Sequence, residues 1–164
     1  MVSHLTMLVW LILTSFNHAK FLRASIDSVL RQSFTDFELI IWDDASTDES
    51  WAIISEYQDS RIRAFRNEER TGSEMYGMNK AISEVASGEY IAIHHSDDMW
   101  LPEKLEKQVL LLNSCASLGA IFTWVQIIDE HGEEKQGDFY NQEQKTRWQW
   151  LHQLFMGENH LNHP

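Results

Sequence analysis

The sequence predicts a three-layer α/β sandwich around a mostly parallel sheet, on three observations. Short apolar runs alternate along the chain with segments whose apolar residues recur at helical spacing, as parallel strands joined by right-handed helical crossovers do. The runs are apolar throughout instead of alternating with polar residues, the mark of strands covered on both faces. Two of them, 38–42 and 90–93, stop abruptly at adjacent carboxylates, Asp43-Asp44 and Asp97-Asp98. Open α/β sheets bind ligands at the carboxyl ends of their strands.

In chain order, 8–13 (L-V-W-L-I-L) is the most apolar run and predicts a central strand leading into Thr14, Ser15, Phe16 and Asn17. Asn17 is a candidate N-cap for a helix bearing Leu22, Ile26, Val29 and Leu30 on one face. A second strand at 38–42 delivers Asp43 and Asp44. Ser46 and Glu49 then fit a capping box opening a helix with Trp51, Ile54 and Tyr57 inward. Residues 61–65 alternate like an edge strand. Gly72 begins a helix with Met75, Met78, Ile82 and Val85 as its apolar face, ending at Gly88. The strand at 90–94 runs into Ser96-Asp97-Asp98. Pro102 suits the first turn of a helix carrying Leu105, Val109 and Leu112. A fifth strand is expected at 119–124, a turn at 129–132, and a last helix over 144–156 with Trp148, Leu151 and Phe155.

Composition narrows the function. The 164 residues suffice for one domain with a real core, and 43% hydrophobic content with seven tryptophans argues against disorder. A formal charge of −12 argues against nucleic acid and anionic membrane surfaces as partners. Cys115 is the sole cysteine, so neither a disulfide framework nor a cysteine zinc cluster is available, and a reducing compartment suits the chain. The 8–13 run is far too short to span a membrane and has no small-residue cleavage site behind it, so a cytoplasmic location is expected. Repulsion between Asp97 and Asp98 at the mouth of a buried strand asks for compensation, and a hard divalent cation is the economical source. The alternative is that these carboxylates only start the next helix.

Three strings in register, L-T-S-F-N-H-A-K-F-L, R-Q-S-F-T-D-F-E-L-I-I-W-D-D-A-S-T-D and G-E-Y-I-A-I-H-H-S-D-D-M-W-L-P-E-K-L, closely resemble family 2 glycosyltransferases of the GT-A, Rossmann-like fold. The resemblance implies an inverting, metal-dependent transferase that moves a sugar from a nucleotide-sugar, UDP-sugar by preference, to a glycan or lipid-linked hydroxyl acceptor. It implies Mg²⁺ or Mn²⁺ as cofactor and polysaccharide biosynthesis as the setting. Thr14 and Phe16 fall where such proteins hold the base, with Asn17 beside them. Asp44 falls on the aspartate that meets the uracil ring, Asn79 on a helix position facing the donor, Asp97 on the ribose or sugar contact, and Asp98 on the metal ligand.

The same resemblance assigns 1–130 to donor binding and 131–164 to the start of an acceptor-binding portion. That portion is incomplete, with the catalytic base expected beyond Pro164. A C-terminally truncated GT-A domain of this kind leaves apolar residues such as Trp148, Trp150, Leu154 and Phe155 uncovered, so self-association is expected. It also allows a place peripheral to the inner face of the membrane. Two departures stand out. Ala45 replaces the usual glycine, which strains the turn only if φ is positive there, and Ser96 replaces the first aspartate of a strict D-x-D. A non-catalytic nucleotide- or metal-binding module is the alternative function.

Overall fold

The computed structural model describes residues 8–135, apart from the Glu74 side chain. Strands β1 (Val9–Ser15), β2 (Phe37–Asp43), β3 (Ile62–Arg66) and β4 (Tyr90–His95) form one sheet in the order β3-β2-β1-β4, with every pairing parallel. Helices α1 (Ala19–Leu30), α2 (Ser50–Glu56), α3 (Glu74–Lys80) and α4 (Lys104–Ser114) lie between and after the strands, and α3 continues into a π-helical turn, Ala81–Val85. The chain divides into two units between Ser117 and Leu118, and the sheet belongs to the first.

Successive strand residues point to opposite faces, and both faces of β1 and β2 are covered. The β4 run, expected to be covered on both faces, leaves Ile91 and Ile93 exposed because it is an edge strand of the described sheet, beyond the reach of α3. Val9, Leu11 and Leu13 of β1 and Phe37, Leu39 and Ile41 of β2 pack with Leu22, Ile26 and Val29 of α1, Ile54 of α2, and Leu105 and Val109 of α4. Trp10, Ile12, Ile40 and Trp42 turn the other way, onto Met78 and Ala81. This is the three-layer sandwich expected. The layering follows from handedness: α1 and α2 serve steps in one direction along the sheet, whereas α3 carries the chain back past β2 and β1 to β4 and takes the opposite face. The bulky Trp10 is accommodated there at 5% exposure.

Several local expectations need correction. Residues 119–127 form no strand among the described residues; only Ile128 and Glu134 bridge, across the expected 129–132 turn. Phe122 and Trp124 are exposed. The inward face of α3 is Gly77, Met78 and Ala81, while Met75 and Ile82 are exposed, and the turn closes at Val85 ahead of Gly88. Trp42 decides that rotation: a Cβ on Gly77 would come within 2.8 Å of its ring, so only glycine lets the helix settle on the tryptophan. Pro102 lies in the turn before α4, not at its first helical position. The expected helix over 144–156, with Trp148, Trp150, Leu151, Leu154 and Phe155, lies outside the described residues.

Candidate functional site

Parallel pairing delivers the ends of all four strands to one edge. Thr14 is in register with Trp42 on one side and His95 on the other, and Ser15 with Asp43. The chain steps outward from β1 through β2 to β3 and then returns to β4 on the other flank of β1. The loops after β1 and β4 therefore lie side by side at the carboxyl edge of the sheet, where open α/β sheets bind ligands. Asp43-Asp44 and Asp97-Asp98 both open onto this edge.

Asp43 is fully buried. It accepts hydrogen bonds from the Ser46 amide, at 2.9 Å, and from the Ser46 hydroxyl, and it faces the Arg66 guanidinium at 3.4 Å. It is a structural carboxylate that closes the β2–α2 loop. Asp44 turns outward, yet its oxygens are engaged by the β3–α3 loop. Oδ1 accepts from Asn67 Nδ2 (2.7 Å) and from the Thr71 N–H and hydroxyl (both 2.9 Å), and Oδ2 accepts from Gly72 N–H (3.0 Å). Burial opposes ionisation of Asp44, but these donors outweigh it and hold the carboxyl below its ordinary range. Ala45, next to it, has φ 56°, so the residue standing in for glycine does sit in the left-handed region.

Asn17 has φ 53° and is not the cap of α1. Its carboxamide oxygen accepts from the Thr47 amide at 2.8 Å, binding the β1–α1 loop to the β2–α2 loop. The α1 N-terminus is satisfied from that second loop: Asp48 accepts from Ala19 N–H at 3.0 Å, and Ser50 Oγ accepts from His18 N–H at 3.1 Å. Asp48 also accepts from Ser50 N–H at 2.9 Å, so it, and not Ser46, opens α2. Ser46 is drawn away to Asp43 and to Asn17 N–H. Both predicted caps thus gave way to contacts between loops about thirty residues apart. Half-buried Phe16 carries the Arg70 guanidinium over its ring, 3.9 Å from the centroid.

The β4–α4 loop is built differently. His94 is wholly buried, tilted against Trp100 at 4.8 Å and bonded through Nε2 to Ser25 Oγ at 2.9 Å. Ser25 gives its hydroxyl proton to the His95 carbonyl, so His94 Nε2 must be the donor to Ser25 Oγ. Burial holds this imidazole neutral, its pKa pushed down to about 3. His94 is core. Beyond it, Asp98 N–H closes a turn on the His95 carbonyl at 3.2 Å, with Ser96 and Asp97 at the tip. Asp97 is exposed and Asp98 half-buried. Burial first, and the Asp97 charge second, push the Asp98 carboxyl above its ordinary range. Burial lowers the Lys104 ammonium, which lies over the Trp100 ring, to about 8.

Among the described residues no three His, Cys, Asp or Glu side chains cluster to hold an ion by themselves. Magnesium-type sites need no such cluster, since one or two carboxylates joined by ligand phosphates and water suffice. A half-buried carboxylate under like-charge strain suits that role.

The sequence profile described as Glycosyl transferase family 2 matches residues 10–163. The chain belongs to that family. Its sheet has the GT-A, Rossmann-like arrangement: the solved structure of S. aureus TarS 1–349 in complex with UDP is 25% identical, with a TM-score of 0.62 over 66% of this chain and 32% of that one. The chain is 38% identical over 105 residues to the Escherichia coli UDP-Glc:alpha-D-GlcNAc-diphosphoundecaprenol beta-1,3-glucosyltransferase WfgD, covering 64% of this chain and 41% of that protein. It is 41% identical over 113 residues to the putative teichuronic acid biosynthesis glycosyltransferase TuaG of Bacillus subtilis, covering 66% and 44%. It thus spans well under two thirds of the length of these curated relatives.

In this family 2 chain the structure gathers Thr14, Phe16, Asn17, Asp44, Asp97 and Asp98 at one edge. Asn79 is exposed on α3 and makes no hydrogen bond to the three loops among the described residues. Sequence reasoning missed Asn67, Arg70, Thr71 and Gly72, which engage Asp44 and Phe16, and His18, which meets Ser96. Gly72 gave the one usable signal, since its φ of 72° is a position where glycine is expected.

Proposed function

We propose that residues 1–130 hold the donor of an inverting, metal-dependent glycosyltransferase and that 131–164 begin its acceptor-binding portion. The observation that carries this reading is the delivery, to one edge of a parallel sheet, of a hydrogen-bonded Asp44 and of the Asp97-Asp98 pair, whose Asp98 is pushed up by burial and like charge. UDP in the TarS complex and UDP-Glc in the name of WfgD support a UDP-sugar as the ligand. Among the described residues Asp44 Oδ2 accepts one hydrogen bond, so it keeps a lone pair for a uracil N–H. Phe16 packs on the base, Thr14 lines the strand end beneath it, and Asn17 holds the loop that presents both. Arg70 brings a cation to this acidic chain beside the base loop. Asp97 meets the ribose or sugar hydroxyls, with Asn79 contributing from α3.

Asp98 holds Mg²⁺ or Mn²⁺ together with the diphosphate. Bound there, the ion neutralises the leaving group as the sugar–oxygen bond breaks. The acceptor is a glycan or lipid-linked hydroxyl, in line with the diphosphoundecaprenol substrate named for WfgD. Such an acceptor places the protein in the cytoplasm at the inner membrane face; no helix among the described residues is long and apolar enough to cross a membrane. Asp129 suits the base poorly, since its Oδ1 accepts from the His131 and Glu133 amides of its own turn and these donors hold its carboxyl below the ordinary range.

The test is UDP titration with and without Mn²⁺. UDP at about 100 times Kd with metal stabilises the native state by roughly 2.7 kcal/mol, a melting shift of about 5–11 °C. Asp98→Ala removes the metal dependence, and Asp44→Ala weakens uridine more than phosphate. Equal UDP affinity with and without divalent metal overturns the reading. Residues 1–164 alone are expected to release little UDP from UDP-sugars. Rapid, acceptor-stimulated release would place the base within them, whereas UDP binding without transfer by a chain extended to the relatives' full length would favour a binding module.

A further inference from the structure

Ser96 stands at the first position of the acidic motif, yet it does not face outward. It is 3% exposed, and its hydroxyl shares a 2.6 Å hydrogen bond with His18 Nδ1, from the residue immediately before α1. Seven residues along α1, on the same side of the helix, Ser25 donates to the His95 carbonyl at 3.0 Å. That carbonyl also accepts from Asp98 N–H to close the turn. The turn presenting Asp97 and Asp98 is thus pinned at two points to α1. His18 is itself fixed through its N–H to Ser50 and follows directly on Phe16 and Asn17. One imidazole links the loop offered to the base and the loop offered to the metal.

We propose that His18 is a positioning residue that couples metal and nucleotide binding. Its bond to Ser96 sets the seat of Asp98 relative to Phe16 and Asp44, so that one ligand sharpens the site for the other. Such coupling is a free energy shared by two sites and is read as the factor by which one ligand raises affinity for the other. The inference rests on the donor-site reading above and adds a residue that touches neither ligand.

The measurement is the ratio of UDP affinities with and without Mn²⁺, by calorimetry on the whole chain, alongside urea denaturation of each variant. His18→Ala is expected to lower that ratio about five-fold, the scale of one hydrogen bond. Ser96→Ala should lower it equally, and the double variant no further. His18→Asn, whose amide reaches the Nδ1 position, and Ser96→Thr should restore much of it. An unchanged ratio in both alanine variants overturns the proposal. So does a loss of UDP affinity that is equal with and without metal, because that is what general loosening of the fold produces. A wild-type ratio of one instead defeats the donor-site reading, and this inference with it, and is recognised before any variant is made.

Discussion

Two pairs of adjacent aspartates end parallel strands of the same sheet, and the fold treats them in opposite ways. After β2, Asp43 is sealed among Ser46 and Arg66, while Asp44 is surrounded by donors from Asn67, Thr71 and Gly72. After β4, Asp98 is half-buried beside Asp97, and burial together with like charge raises its pKa. The first pair is a finished hydrogen-bonding device. In the second, Lys104 and His95 only partly offset burial and the neighbouring like charge. A doublet of acidic residues at a strand end therefore does not by itself specify a cation site; the loop packed against it decides.

The comparison breaks most visibly at Asp43. Asp43→Ala strips the Ser46 amide and hydroxyl of their buried acceptor and leaves Arg66 without its carboxylate, so a loss of about 3 kcal/mol is expected in urea denaturation. A loss below 1 kcal/mol would mean that the buried carboxylate is dispensable and the contrast superficial.

Next in size is Asp44→Asn, expected to cost about 1–2 kcal/mol at neutral pH because an amide cannot accept from all the donors converging there. The sign with pH follows from the lowered folded-state pKa. The Asp44 contribution is complete above the ordinary carboxyl value of 3.8 and fades as pH falls through the folded value, so the gap between variant and wild type closes in acid. A gap that widens in acid would contradict the assignment.

Ala45→Gly relieves the left-handed strain beside Asp44 and should stabilise by about 1 kcal/mol, a melting rise of roughly 2–4 °C. An unchanged or lower melting temperature would show that the turn tolerates alanine without cost.

The smallest effect sharpens the comparison most, because its sign is reversed. Asp98→Asn, without metal, should lie within about 0.5 kcal/mol of wild type but on the stabilising side. Here the folded pKa is raised, so the stability linked to the protonated form is complete below 3.8 and lost as pH rises through the raised value. The advantage of asparagine therefore appears above that window and vanishes below it. Destabilisation at neutral pH would mean that Asp98 is already compensated as Asp44 is.

What the sequence by itself determined was everything set by short-range pattern. The runs ending in Ser15, Asp43 and His95 were legible as strands from their contiguous aliphatic side chains, and the four helices from their apolar spacing, but only the first two runs are buried on both faces: Ile91 and Ile93 of β4 are exposed. Once the strands were parallel, Thr14, Phe16, Asp44, Asp97 and Asp98 necessarily shared an edge. Tertiary structure decided whatever depends on a partner distant in the chain. Strand order, and with it the adjacency of the loops after β1 and β4, required β4 to return beside β1. Asn17 and Ser46 read locally as caps, but the Asn17 carboxamide accepts from Thr47 N–H and the Ser46 hydroxyl is held by Asp43 and Asn17 N–H. Trp42 pressed α3 onto Gly77 and rotated its apolar face. The 119–124 run has β-prone residues in abundance, yet among the described residues it joins no strand of the sheet, since local propensity does not choose where a segment pairs. The difference between Asp44 and Asp98 has the same origin, since a carboxylate's electrostatics are set by the groups that tertiary packing brings to it.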